Sequence, residues 1–440
     1  MATTPIERPG SAARHSGQRA VAGPTIRIAY LLSQYPAVSH TFFFHEIHGL
    51  RSRGIQIETA SINPPDRALD LLPPAEAQEA RATMVVKDGN LLGTLIKLIA
   101  TVIRNPAALL RGLGAVLTIK DLTVRQRSYW LFYLAEALLI GRWLKQRKIR
   151  HLHVHFAGPV ASVGMLTARA WQIPWSLTVH GPEELLNADS YHLREKIDSA
   201  KFVFCISDFC RSQLFHWTAP ATWNKFQVIR LGVDPVMLNP QSRMTTSSIT
   251  NPGPRTLELL SIGRLVPAKG HRILLEALRI LRDRAVPIRL TLIGGGPDLN
   301  ALQQYVQAES LTDLVTFTSA LSHSETIAQL RRADIFALAS FAEGIPVALM
   351  EAMSLGIPCV STLIAGIPEL IRTGVDGILV PPANPTALAD ALESLAADSA
   401  FRKNLGHSAR QRIVTHYNLP LNQELLAQSF ETHIAKEIAR

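Results

Sequence analysis

Cysteine is scarce: three residues in 440, at Cys205, Cys210 and Cys359. Their spacing makes neither a metal-ligand group nor a disulfide framework, so they read as reduced core thiols. Long apolar runs are missing too. A membrane-spanning helix needs about 18 or more uninterrupted apolar residues, and no stretch supplies them. The nearest, "LLGTLIKLIATVIRNPAALLRGLGAVLTIK", is broken by Lys97, Arg104, Pro106, Arg111 and Lys120. Residues 1–24 lack the apolar centre of a signal peptide and read as a flexible, basic tail. Acidic residues are outnumbered, 35 against 45 Lys and Arg, which leaves a formal net charge of +10. Such a surface suits nucleic acid, a phosphorylated substrate or an anionic membrane face. The basic–aromatic motifs of nucleic-acid modules are absent, so nucleic acid is not expected as a partner. No short internal repeat occurs.

What is present is apolar sequence in short pieces. The chain is too long for one ordinary core. β-Branched runs alternate with helical patterns, which argues for parallel sheets. The first set is "IRIAYLL", "IQIETASI", "IRHLHVHFA", "WSLTVHG", "KFVFCIS" and "FQVIRLGV". The second is "LELLSIG", "IRLTLIGGG", "LVTFTSA", "ADIFALAS", "IPCVST" and "GILVPP". Between them lies "NPQSRMTTSSITNPGPR", residues 239–255, whose Ser, Thr, Pro and Gly mark a linker. The expected class is α/β, with two facing Rossmann-like, doubly wound halves at 25–238 and 256–415. A helix at 416–440 closes the chain by packing back on the first half. Ligands of such sheets sit beyond the carboxyl ends of the strands, here in the cleft between domains.

The stretch "EGIPVALME" carries two glutamates, Glu343 and Glu351, around a helix expected to begin near Pro346. Glu343 falls just before the helix and Glu351 about five residues inside it. Between them the N–H groups of Gly344, Ile345 and Val347 face an anion-attracting helix start. Carboxylates suit sugar and ribose hydroxyls; amides suit the diphosphate between them. As a bare pair, the two also read as a helix-end charge and a solvated face. "SIGRLVPAKGH" leaves a strand through Gly263 and presents Arg264 and Lys269, either a diphosphate clamp or two solvated cations. "LIGGGPD" reads as a glycine turn that lets backbone approach a ligand. His180 ends a strand in "TVHGPEE", as a ligand-facing or a core histidine. Ser39 and Thr41, in "SHTFFFHEIHGL", either touch substrate or cap the next helix.

Together these segments resemble the retaining glycosyltransferases of the GT-B fold, in glycosyltransferase family 4, or glycosyl transferases group 1. The resemblance covers nearly the whole chain after residue 25. It rests most on "FAEGIPVALMEAMSLGIPCVSTLIAGIPELI", with support from "GRLVPAKG" and "VIRLGVD". The opening "YLLSQYPAVSHTFFFHEIHGLRSRG" is similar to the branch that builds bacterial exopolysaccharides of the colanic-acid type. By that resemblance 25–238 would bind acceptor and 256–415 the nucleotide sugar. Glu343 and His180 would lie by the donor sugar and Glu351 would hold the ribose. Arg264, Lys269 and Gly263 would meet the diphosphate, with amides from Gly344, Ile345, Pro346 and Val347 around sugar and phosphate. Backbone at Ala320 and Leu321 would meet the base, and Gly366 and Glu369 would support the donor loop. Two departures stand out. The double-glycine turn of many relatives reads "SQYPAVSHT" here. The Asp three residues after the histidine is Glu183, preceded by Pro182.

The resemblance implies transfer of a sugar from a nucleoside diphosphate to a polysaccharide or lipid-linked acceptor. No cofactor or metal is expected, because Arg264 and Lys269 carry the electrostatic role. The rival reading is a non-catalytic nucleotide-sugar-binding subunit of a membrane assembly. The cytoplasm, at the inner face of the plasma membrane, is the expected location. Residues 91–148 carry Tyr129, Trp130, Tyr133 and Trp143 among cations. They read either as helices packed on the first sheet or as a contact with an anionic leaflet.

Overall fold

The computed structural model describes residues 26–37, 41–120, 122–240 and 255–438. The tail at 1–24, Ser39 and most of the 239–255 linker lie outside them. The first half opens with β1 (Arg27–Gln34), α1 (Thr41–Ser52), β2 (Gln56–Asn63), α2 (Pro74–Ala82) and β3 (Met84–Val85). Three helices follow, α3 (Leu91–Arg104), α4 (Pro106–Thr118) and α5 (Val124–Gln146). Then come β4 (Leu152–His155), α6 (Pro159–Trp171), β5 (Trp175–Val179), α7 (Pro182–Leu186) and α8 (Leu193–Ser199). The half ends with β6 (Val203–Cys205), α9 (Asp208–Trp217) and β7 (Phe226–Val228). Its sheet is parallel throughout, in the order β3-β2-β1-β4-β5-β6-β7.

The second half repeats the plan. It runs β8 (Leu257–Ile262), α10 (His271–Asp283), β9 (Ile288–Ile293), α11 (Leu299–Ala308), β10 (Val315–Thr318) and α12 (His323–Leu330). It continues with β11 (Ile335–Leu338), α13 (Val347–Ser354), β12 (Cys359–Thr362), α14 (Ile367–Leu370) and β13 (Ile378–Val380). Three helices close it, α15 (Pro385–Ala397), α16 (Ser399–His416) and α17 (Leu419–Ile438). The six-stranded sheet, order β10-β9-β8-β11-β12-β13, is again parallel.

Strands covered on both faces need near-continuous apolar sequence, and "IFAL" of β11 is buried at every residue. β4 departs from this rule. His151, His153 and His155 in "HLHVH" are all buried. The first two are tolerated because hydroxyls of β5 meet them: Ser176 Oγ lies 2.8 Å from His151 Nε2 and 2.7 Å from His153 Nδ1. Thr178 Oγ1 lies 2.9 Å from His153 Nε2. Burial, then the neighbouring rings of His155, His151 and His180, hold His153 well below the usual histidine range. It is therefore a neutral core residue.

The last helix belongs spatially to the first half. Phe430 of α17 packs against Tyr30, His153 and Phe204. Gln423 Nε2 donates to His45 O at 2.8 Å and Arg53 pairs with Glu424 at 3.0 Å. The two halves also share an apolar seam, in which Ile206 joins a cluster otherwise built from the second half and its connecting segment.

Candidate active site

The Glu343 carboxylate is assembled by three chain segments. β11 stops at Leu338, and Ser340 follows at the carboxyl edge of the sheet. From the neighbouring strand β8, the turn Pro267–Lys269 is folded against that edge, with Phe341 N donating to Ala268 O at 2.8 Å. Gly270 makes the approach possible. Its φ is +61°, and a Cβ there would lie 2.0 Å from Ala339 O, a collision no other residue avoids. Lys269 Nζ thereby donates to Glu343 Oε1 at 2.6 Å, and Ser340 Oγ donates to the same oxygen at 2.7 Å. Glu343 is only 8 % exposed, so this pairing carries most of the charge compensation a buried carboxylate requires. Pro346 then caps α13 without a side-chain bond. Among the described residues, the N–H groups of Gly344, Ile345 and Val347 meet no acceptor. They form the open, positive end of a helix dipole.

One turn into α13, Glu351 is equally buried and Oε1 sits 2.8 Å from His323 Nε2. His323 opens α12, whose start is fixed by the Ser322–Glu325 capping box. The Glu351 hydrogen bond raises His323 above the ordinary histidine range. Across the cleft, His45 of α1 faces His323 with ring centroids 6.5 Å apart. Burial first, and His323 second, hold His45 low.

The opposite wall is the His180 loop. A Cβ at Gly344 would lie 2.2 Å from His180 O, and one at Gly181 would lie 2.9 Å from Gly344 Cα. Gly366 lies as close behind, where a Cβ would be 2.6 Å from Gly344 O. The two halves thus touch backbone to backbone beside Glu343. The His180 ring turns into the first half, with Nε2 3.0 Å from His155 Nδ1. His155 Nε2 is 3.2 Å from Glu46 Oε1, which accepts from Tyr30 Oη at 2.8 Å. Glu184 holds the loop from beneath. It accepts from His180 N at 2.6 Å, from Gly181 N at 2.7 Å and from Ala157 N. Lys196, fully buried, donates to Ala157 O at 2.6 Å and Gly158 O at 2.8 Å. Burial pushes the Glu184 carboxyl up to about 7 and the Lys196 ammonium down to about 7.

The expected residues therefore fall into groups. Glu343, Lys269, Gly344, Ile345, Pro346 and Val347 come together at one spot, with Glu351 below them on α13. Arg264 stands exposed on the loop after β8, its carbonyl 3.2 Å from His271 Nε2. A Cβ on Gly263 would make only ordinary contact with Lys269, at 3.6 Å, so packing does not demand glycine there. Ala320 and Leu321 follow β10 at the same sheet edge; Ala320 is exposed and Leu321 half-buried. Thr41 begins α1 half-buried.

Three expectations are corrected or narrowed. Two glycines of the triple-glycine turn approach protein, since a Cβ on Gly294 would strike Gly263 O at 2.0 Å and one on Gly296 would strike Leu265 O at 2.3 Å, while one on Gly295 would meet open space. Glu369 does not merely back the donor loop. Its carboxylate accepts from Asp208 N at 3.0 Å and Phe209 N at 2.6 Å, capping α9 of the other half, while Arg230 joins at 3.2 Å. The Trp130 ring is buried and Trp143 and Tyr133 pack on the core, so these three follow the packed reading, while Tyr129 is exposed. Sequence reading missed Ser340, His323, His45, Glu184 and the His155–Glu46 pair. The dense histidines of "HLHVH" were the one signal that pointed at the last of these.

The architecture is that of the GT-B glycosyltransferases. The solved structure of Anabaena HepE in complex with UDP and glucose superposes with a TM-score of 0.66 at 16% identity, over 92% of this chain and 100% of that one. Two family models match the sequence. "Glycosyl transferases group 1" spans residues 246–412 and "Glycosyltransferase Family 4" spans residues 100–236. The chain thus carries glycosyltransferase domains in both of its halves. Among curated relatives it is similar to the putative colanic acid biosynthesis glycosyltransferase WcaL of Escherichia coli strain K12. Those two share 26% identity across 91% of this chain and 98% of the relative. WcaL of Salmonella typhimurium strain LT2 is 35% identical over 52% of this chain, a match that spans 55% of that relative.

Proposed function

We propose that the protein is a retaining glycosyltransferase that moves a sugar from a nucleoside diphosphate to a polysaccharide or lipid-linked acceptor. Its place would be exopolysaccharide or cell-surface glycan assembly, at the cytoplasmic side of an anionic membrane. The likeness to the two WcaL proteins supports the process. The UDP and glucose bound by HepE support the donor class.

The observation that carries this reading is Glu343, buried between Lys269 and Ser340 at the open start of α13. A diphosphate laid on the N–H groups of Gly344, Ile345 and Val347 competes with Glu343 for Lys269, and Arg264 on the neighbouring loop adds a second cation. Once Lys269 turns to phosphate, Glu343 faces the sugar with its charge uncompensated. There it stabilises the positive charge that develops as the anomeric bond stretches. The acceptor hydroxyl approaches on the face the phosphate leaves, and the departing phosphate oxygen takes its proton. No metal enters, because Lys269, Arg264 and the helix start already balance the diphosphate.

The test is a panel of nucleotide sugars read by thermal shift and by release of the nucleoside diphosphate. A donor at 100 times its Kd stabilises by about 2.7 kcal/mol. Stabilisation with slow hydrolysis, abolished in Glu343→Gln, is the expected result. Stabilisation without any turnover, with or without added glycan acceptors, would instead identify a binding subunit.

A further inference from the structure

We infer that α3 docks on an anionic lipid bilayer, lying flat in the headgroup region with its outer apolar face immersed. Six large residues on this helix are exposed: Leu91, Leu92, Leu95, Ile96, Ile99 and Ile103, from 50 % to 85 %. At about 100° per residue they occupy one arc of roughly 140°. Leu98 and Val102 continue this arc at one edge, where they pack on the core beside buried Thr101. A surface helix needs only the apolar stripe that meets the core; that of α3 runs on well past this edge, away from the protein. Leu110 and Leu117, two turns apart on α4, are exposed at 68 % and 71 % and extend the patch.

Charge identifies what covers this face. Neither α3 nor α4 contains an acidic residue. At about 100° per residue Lys97 and Arg104 lie roughly 80–100° beyond the Ile96 edge of the arc, so their long stems have to reach round the helix to meet headgroup phosphates. At the bend between the two helices opens a groove of about 780 Å³. Arg104, Arg111, Arg142 and Lys145 line it and no carboxylate does. Arg111 and Arg142 are held in place, by Ala170 O at 2.8 Å and by Lys97 O at 3.1 Å. A second copy of the chain on this face would set like charges against each other. An anionic leaflet meets both the apolar arc and the cations.

Length decides how α3 lies. Fourteen residues give about 21 Å of helix, short of the roughly 30 Å hydrocarbon core. The 100° bend to α4 turns the chain back. The helix therefore rests in the interface and does not cross it. This deepens the reading of a lipid-linked acceptor, from which it takes its purpose but not its evidence.

The test is co-sedimentation of the full chain with vesicles of phosphatidylcholine alone or mixed with phosphatidylglycerol, at low and high salt. Binding to the anionic vesicles, weakened by salt, is expected. Ile96→Gln/Ile99→Gln/Ile103→Gln should lower it by roughly a hundredfold or more. Arg104→Gln/Lys145→Gln should lower it by about twentyfold, at roughly fivefold per charge. Both sets change exposed side chains, so unchanged melting and unchanged nucleotide binding are expected as controls. Equal binding to both vesicle types, or wild-type binding by the triple-glutamine variant, overturns the proposal. So does a dimer in light scattering that the three glutamines dissolve, because a second copy then covers the face. A chain that binds donor but no vesicle overturns the docking and leaves the transferase reading standing. One that binds vesicles but no donor does the reverse.

Discussion

Lys269→Ala removes the only cation bonded to Glu343 among the described residues, and its consequence for stability follows from the geometry. At 2.6 Å and an effective dielectric of about 20, the gross attraction is about 6 kcal/mol. Desolvation of both groups offsets much of it. What the substitution exposes is the stranded charge, since Glu343 is 8 % exposed and, among the described residues, retains only the Ser340 hydroxyl. Removing one partner of a buried pair costs about 3–5 kcal/mol. Lys269 is 23 % exposed, and water that reaches its place favours the lower end, about 3 kcal/mol. In a domain of this size that is a fall of about 6–12 °C in the melting of the second half. Adding Glu343→Gln to Lys269→Ala discharges the stranded group and should restore most of the loss. Calorimetry of wild type, both single variants and the double variant closes the cycle. A Lys269→Ala melt within about 2 °C of wild type, or a double variant no better than the single, would refute the reasoning.

Other outcomes follow from the same cleft. In a folded Glu343→Gln protein, sugar transfer should fall by roughly two or more orders of magnitude; near-wild-type turnover would remove Glu343 from the chemistry. The pair of His323 with Glu351 raises His323, so its contribution to stability is complete below the ordinary histidine range and fades as pH rises through the raised value. Wild type should therefore out-melt His323→Gln at acid pH, with the gap closing towards alkaline pH; a gap constant with pH contradicts the pairing. Glu184→Gln leaves one acceptor oxygen where three N–H groups converge, and about 3 kcal/mol of stability should go with it. NMR of the new linkage should show the anomeric configuration of the donor preserved, and an inverted product contradicts the retaining mechanism.

Both sheets were legible because parallel strands covered on two faces leave little choice of residue. Runs such as "IFAL" and "CVST" carry that constraint openly. The edges of strands were less clear. "IRHLHVHFA" is apolar enough to suggest nine residues, yet only Leu152–His155 pair as a strand, because the flanking backbone serves α5 and the Ala157 turn. β3, two residues long, is too short to leave any periodicity. At the site, Glu343, Lys269 and Glu351 stood out because charges are rare beside glycines at strand ends. Their partners did not. His323 is 28 residues from Glu351 and His45 is in the other half. Nothing local in a sequence reports a contact made by folding two domains together. Glu184 was passed over for Glu183 because spacing alone cannot say which of two adjacent carboxylates turns inward. The turn of α7 and the N–H groups of His180 and Gly181 decide it.

The contacts between the halves are unevenly distributed, and the pattern bears on how the cleft works. A few residues from Gly366 and Ile206, Glu369 caps α9 with two backbone N–H bonds and Arg230 closes the charge. The chain crosses back through the Val233–Asn418 bridge into α17, which is packed on the first half by Phe430. These contacts are covalently continuous or charge-assisted, and many. Beside Glu343, by contrast, the halves meet largely backbone to backbone, His180 O and Gly181 against Gly344, with the Ile206 side chain as the one apolar contact there among the described residues. A glycine contact excludes water when closed and leaves little to break when it opens. Opening should therefore break little at the glycines, while the Glu369–α9 cap and the Ile206 contact hold the halves together nearby. Glu343 lies beside the glycine contact, and the residues that set its charge, Lys269 and Ser340, belong with it to the second half. Access can then change without disturbing the pair that keeps Glu343 ready.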